Sequence, residues 1–294
     1  MKQVIHSLWT LPMISAWRGM DGKKQMLINL YLYTISAWYV KKWGGNIDLY
    51  ADSLGIWILE HAPYDNKLYS FESIDSQTLP CWATPKLLVM NFVNTPFTHI
   101  DGDVFIKSQR VFDEITDKNY DLIVEGCMDD TNDLNHFILW HKNYFETNTS
   151  FSDDFNYLQT CNCGCVTINN EQLKKEYVDK YFEYRKELFD NQYKINLAWE
   201  HNTFIPDLMI EQMNLYQISK KYKRKGLVNT LVNSNNSNIY DIFRPEFTDE
   251  YRHYVGKEKC HMSIEYFRNI LRELDSDLYE KTRKKEDELN QYLL

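Results

Sequence analysis

Phe97-Thr98-His99-Ile100-Asp101-Gly102-Asp103-Val104-Phe105-Ile106 is the stretch on which the reading of this chain turns. β-prone and apolar residues run up to two carboxylates spaced by one glycine, then resume, which predicts a strand ending in an acidic turn. Apolar residues on both sides would bury such a strand in an α/β sheet. Its carboxylates then emerge at the C-terminal edge, where open α/β sheets bind ligands. Two hard oxygen donors two residues apart suit Mg²⁺ or Mn²⁺ shared with substrate phosphates, and Gly102 leaves room for a diphosphate to approach. The plainer reading is a surface turn, because Asp and Gly are common there.

The rest of the composition narrows the class. The chain has 294 residues, 44% of them hydrophobic and 26% charged, the profile of a globular protein with a sizeable core. A net charge of −9 argues against a nucleic-acid partner, which needs a basic surface. The N-terminus enters Val4-Ile5 without a charged and apolar leader, and no 18-residue apolar run follows, so the expected location is cytoplasmic, with at most peripheral membrane contact. Cys161, Cys163 and Cys165 alternate as on one face of a strand. Structural zinc sites favour pairs spaced by two to four residues, so these are read as buried free thiols in a reducing compartment. Some of the 21 Tyr, 15 Phe and 8 Trp would line a cleft, where flat rings suit sugar and base faces.

Along the chain, Val4 to Leu8 reads as a first strand, followed by a loop through Trp9 to Pro12. Met26 to Trp43 has helical spacing and stops at Gly44-Gly45. Ile47 to Ala51 is a second strand, Asp52-Ser53 caps a helix from about Leu54, and Leu68 to Phe71 is a third strand. That alternation is the rhythm of a parallel sheet. Thr84 is read as the N-cap of a helix with Pro85 at its first position. Asp121 to Val124 and Cys163 to Ile168 read as strands, and Glu171 to Phe189 and Phe204 to Ile218 as helices. The polar and aromatic residues up to Tyr157 suggest a lid or an acceptor-side loop. The run Lys220 to Lys225 is read as a solvated face, with contact to an anionic acceptor or membrane surface as the alternative, and Asn229 to Asn238 as a linker. The expected organisation is one domain over 1–260 and a charged helical tail over 261–294 packed on it.

A second motif lies far downstream. His253, Gly256 and Lys259 follow one another at intervals of three. A lone His is usually structural, but here an imidazole can complete the coordination of a Mn²⁺-like ion, the glycine leaves room for phosphate and the lysine brings positive charge.

Together, the acidic strand and the His253, Gly256, Lys259 pattern resemble the metal-dependent glycosyltransferases of the GT-A fold, in particular the glycogenin and lipopolysaccharide galactosyltransferase group with its Asp-x-Asp and His-x-x-Gly-x-x-Lys motifs. Three intermediate stretches fall in the same order. Thr84-Pro85-Lys86-Leu87 resembles a Thr-Lys-Leu segment whose lysine contacts the diphosphate. Phe155-Asn156 through Asn162-Cys163-Gly164-Cys165-Val166 resembles an Asn-Ser-Gly-Val strand beside the sugar. Glu211-Gln212 stands where the family has Asp-Gln near the reacting sugar. Cys260-His261 replaces the family's Pro-Trp, and Glu211 replaces its aspartate.

The resemblance implies a mixed, mostly parallel Rossmann-like sheet flanked by helices, with a C-terminal helical extension. It implies transfer of a sugar from a nucleotide diphosphate sugar, most simply a UDP-sugar, to a glycan, glycolipid or other hydroxyl acceptor in polysaccharide biosynthesis, with anomeric configuration retained. Asp101, Asp103 and His253 would hold Mn²⁺ or Mg²⁺. Trp9, Asp52, Lys86, Asp101, Asn162, Gly256 and Lys259 would bind the donor, with Trp9 and Asp52 near the base and ribose, and Glu211 would be catalytic. Two rivals stand beside it. A phosphatase of the haloacid dehalogenase type also has Asp-x-Asp, but on its first strand and with Thr or Val where Phe105 stands here. The other is an inactive sugar- or metal-binding module; an EF-hand loop would need a glutamate at the position of Phe112.

Overall fold

A computed structural model describes residues 3–11, 22–72, 74, 83–128, 160–190, 208–227, 249–254 and 262–292. Its elements in chain order begin with β1 (Gln3–Leu8), α1 (Gly22–Lys42), β2 (Asn46–Ala51), α2 (Ser53–Ile58) and β3 (Asn66–Tyr69). Then come α3 (Thr84–Phe92), β4 (Phe97–Ile100), β5 (Val104–Ile106), α4 (Gln109–Ile115), β6 (Leu122–Met128), β7 (Thr160–Ile168) and α5 (Glu171–Asp190). A π-helical segment, Leu208–Met213, leads into α6 (Asn214–Ser219); β8 (Arg224–Gly226), β9 (Tyr251–His253), α7 (Ile264–Leu274) and α8 (Ser276–Tyr292) follow. The chain divides into two compact units, one of Met1–Leu79, Phe97–Thr116 and Asp249–Leu294, the other of Pro80–Pro96 and Asp117–Thr248. The architecture is the mixed α/β one expected.

In the first unit the strands run β3-β2-β1-β4, all parallel. Val4, Ile5, Ile47, Leu49, Phe97 and Ile100 are almost fully buried, as strands covered on both faces require. Asp52 caps α2 as expected, accepting from the Gly55 backbone N–H. Helix α1 ends at Lys42, and the chain turns away at Gly44, whose φ of 74° is the left-handed conformation glycine adopts most readily. The third strand is set two residues earlier than expected, because Asn66 to Tyr69 pair with Asp48 to Ala51 and Phe71 already turns away at φ 79°. The tail is helical, in two helices that meet at Asp275, whose carboxylate accepts from the Leu278 N–H. Both pack on α1. There Glu286, 2% exposed, takes hydrogen bonds from Tyr31, Arg268 and Arg283. Burial works to raise its pKa, and these three bonds hold it below the ordinary carboxylate value.

In the second unit β7 and β6 are antiparallel, with an irregularity between Val124 and Gly126, and β8 is parallel to β6. Strand β7 starts at Thr160, and Cys161, Cys163 and Cys165 are buried free thiols, as their alternation predicts. Thr84 is not an N-cap: it lies inside α3, and its hydroxyl meets the Tyr181 hydroxyl at 2.9 Å. The expected helix over Phe204 to Ile218 is π-helical from Leu208, and its start lies outside the described residues. The basic run is part strand. Lys220 and Arg224 lie over the Tyr216 ring, Lys223 and Lys225 over Tyr120, and Lys221 pairs with Glu176. Among the described residues no helix is long and apolar enough to cross a membrane. The segment up to Tyr157 beyond Met128, the linker Asn229 to Asn238, Gly256 and Lys259 lie outside the described residues.

Candidate metal centre and neighbouring charged groups

The acidic turn forms where β4 ends. Val104 N–H donates to the Asp101 carbonyl at 3.0 Å, closing the turn, and the chain re-enters extended structure as β5. Strand β5 pairs antiparallel with β9, in a register that sets Val104 opposite His253, and Tyr254 N–H donates to the Asp103 carbonyl at 3.0 Å. That register carries an imidazole to the carboxylates across 150 residues of sequence. His253 Nε2 lies 3.4 Å from Asp103 Oδ1, and one ligand atom from each of Asp101, Asp103 and His253 falls within 4.8 Å of the others. Two carboxylate oxygens and an imidazole nitrogen suit a divalent metal ion.

Behind the turn lies a layer the sequence reading missed. His99, fully buried, has Nε2 at 2.9 Å from Ser7 Oγ and Nδ1 at 3.7 Å from Asp101 Oδ1. His6 contacts the Tyr64 hydroxyl at 2.9 Å and Ser36 Oγ at 3.3 Å, and Ser36 donates to the Val104 carbonyl at 2.6 Å. Burial lowers the His6 pKa to about 3, although the charge of Asp103 works the other way. The space left by Gly102 is taken by Tyr33: a Cβ there would sit 2.2 to 2.4 Å from its ring. Alternation along β4 was the available signal, since residues two apart in a strand share a face and His99 precedes Asp101 by two.

Of the other first-unit candidates, Trp9 is buried at the end of β1. The Asp52 carboxylate accepts from Thr10 N–H, Thr10 Oγ1–H and Gly55 N–H at 2.8 to 2.9 Å. In the second unit, Lys86 Nζ lies 2.9 Å from Glu211 Oε1 and donates to the Cys163 carbonyl at 2.9 Å. The side chains are 6% and 1% exposed, a buried ion pair joining two residues that the resemblance had given separate roles. Tyr177 is nearby in effect. Burial first, then charge on Cys163 and Glu211, raises its pKa well above the ordinary value. Asn162 Oδ1 accepts from Gly164 N–H on its own strand.

Fold and centre together define a mixed α/β protein with a carboxylate, carboxylate and imidazole cluster at the end of a parallel strand. A family model described as "Family of unknown function (DUF6734)" matches residues 1–285, and the chain belongs to that family. No curated protein matches the sequence. Among solved structures it is similar to the galactosyltransferase LgtC in complex with donor and acceptor sugar analogues, at 11% identity over 95% of each chain and a TM-score of 0.44. It is also similar to the glycosyltransferase GlyE of Streptococcus pneumoniae TIGR4, at 12% identity and a TM-score of 0.39 over 92% of this chain. The chain spans 62% of GlyE.

Proposed function

We propose that this chain is a metal-dependent glycosyltransferase that moves a sugar from a nucleotide diphosphate sugar, most simply a UDP-sugar, to a hydroxyl of a glycan or glycolipid. The observation that carries this reading is the convergence of Asp101, Asp103 and His253 at the C-terminal end of β4. Two converging carboxylates repel one another, and a divalent cation relieves that repulsion while offering open positions to a diphosphate. When bound, the ion supplies Lewis-acid stabilisation of the departing diphosphate. Asp101 and Asp103 would hold it through oxygen and His253 through nitrogen. Gly256 and Lys259 follow His253 in the sequence and would serve the phosphates, the lysine as a point charge. Trp9 and Asp52 would face base and ribose, and Asn162 the sugar.

In the second unit, the Lys86 ammonium lies against the buried Glu211 carboxylate. Glu211 is suited to stabilise positive charge developing on the sugar, the step at which a retaining outcome would be decided.

The test is a thermal melt of the full chain with UDP, with and without Mn²⁺, beside the Asp101→Ala, Asp103→Ala double variant. Ligand at a hundred times its dissociation constant should add about 2.7 kcal/mol, a shift of several degrees that needs Mn²⁺ and is absent from the variant. If UDP and other nucleoside diphosphates leave the melt unchanged with metal present, the reading is wrong.

A further inference from the structure

Asp101 and Asp103 are not equally constrained. The Asp103 side chain is 12% exposed and lies against His253, whereas that of Asp101 is 26% exposed and ends the strand. A partly exposed carboxylate beside a second one has an electrostatic reason to swing outward. What meets Asp101 from inside is His99, and the contacts behind it close a ring: Asp101 faces His99, His99 bonds Ser7, the Ser7 carbonyl accepts from the Tyr33 hydroxyl at 2.7 Å, and the Tyr33 ring packs on Gly102.

We propose that His99 is a positioning residue for the cation site, holding the Asp101 carboxylate in its ligating orientation through a frame of Ser7, Tyr33 and Gly102. This rests on the metal reading above. In the tautomer that carries its proton on Nδ1, Nε2 accepts from the Ser7 hydroxyl and the ring N–H faces Asp101. At 3.7 Å the contact is longer than a hydrogen bond, so it acts as a dipole aimed at the carboxylate rather than as a bond to it. The Tyr33 ring, wedged where a Cβ cannot stand, prevents the turn from collapsing into the space beneath. Supporting groups of this kind typically change metal affinity by about 10- to 100-fold when removed.

The experiment measures Mn²⁺ binding to the full chain by the EPR signal of free aquo-Mn²⁺, with melts of the same samples in chelator. His99→Leu, which removes both ring nitrogens, is expected to weaken Mn²⁺ binding about tenfold or more. His99→Asn, whose amide can place an N–H near the Nδ1 position, should recover most of that loss. A role confined to packing would lower the melt in chelator for both variants and leave the affinity of the folded protein unchanged, which overturns the proposal. If His99→Leu does not fold, Ser7→Ala decides, since it deletes one hydroxyl and no ring: weaker Mn²⁺ binding supports the frame, and unchanged binding overturns it. Wild-type protein that leaves the Mn²⁺ signal untouched would overturn the metal reading itself, an outcome distinct from equal binding by wild type and variant.

Discussion

At the acidic turn of the first unit, two carboxylates and an imidazole bring ligand atoms within 4.8 Å of one another. In the second unit one carboxylate, Glu211, meets one ammonium, Lys86, at 2.9 Å with almost no exposure. The second arrangement cancels charge within the protein, and neither partner can be withdrawn without stranding the other in a medium of low dielectric constant. The first concentrates charge of one sign at a half-buried edge, so it is improved by something from outside. Stability should therefore depend strongly on the Lys86–Glu211 pair and weakly on the acidic turn, and cation binding the reverse.

The sharpest way to break that contrast is at the buried pair. Lys86→Met or Glu211→Leu alone should cost about 3–5 kcal/mol in urea unfolding, and the double variant should recover most of it. Single variants that cost no more than an ordinary surface change would mean the pair is solvated. At the turn, Gly102→Ala forces a Cβ into the Tyr33 ring and should cost about 1–3 kcal/mol, with Tyr33→Ala relieving the second variant. A Gly102→Ala protein of unchanged stability would return that glycine to the role of clearing space for a ligand.

Beneath the turn, His6 is held neutral by burial, with a pKa of about 3. The unfolded chain takes up that proton near pH 6.5, so this contribution to stability is whole above 6.5 and shrinks as pH falls toward 3, by up to about 1.4 kcal/mol per pH unit. Urea unfolding at pH 7 and pH 5 should show a shallower pH dependence in His6→Gln than in wild type, and identical slopes would reject the neutral His6. The smallest effect is expected at the turn's own ligand. In chelator, Asp101→Asn should change stability by no more than about 0.5 kcal/mol, because it also relieves repulsion with Asp103, while Mn²⁺ binding collapses. A large loss in chelator would make Asp101 a structural residue and weaken the contrast.

Much of this was open to reading from short intervals. Strand–helix alternation, the Gly44 stop, the Asp52 cap, the alternating cysteines and the acidic end of β4 all depend on residues one to four apart, where backbone geometry links neighbours directly. Thr84 shows how that reasoning fails. Its residue type and the following proline fit an N-cap, but its hydroxyl meets Tyr181, from an element 97 residues on.

His253 marks the boundary between the two kinds of knowledge. The residue types and spacing nominated Asp101, Asp103 and His253 as metal ligands, because donor chemistry belongs to side chains and travels with them in the sequence. The antiparallel register of β5 on β9, the Tyr33 ring filling the space beside Gly102, the His99–Ser7 contact behind Asp101 and the Lys86–Glu211 pair came from folding alone. Each joins residues tens to more than a hundred positions apart. Such contacts are selected by packing and by the need to match buried charge and hydrogen bonds across the whole unit, and no local periodicity records them.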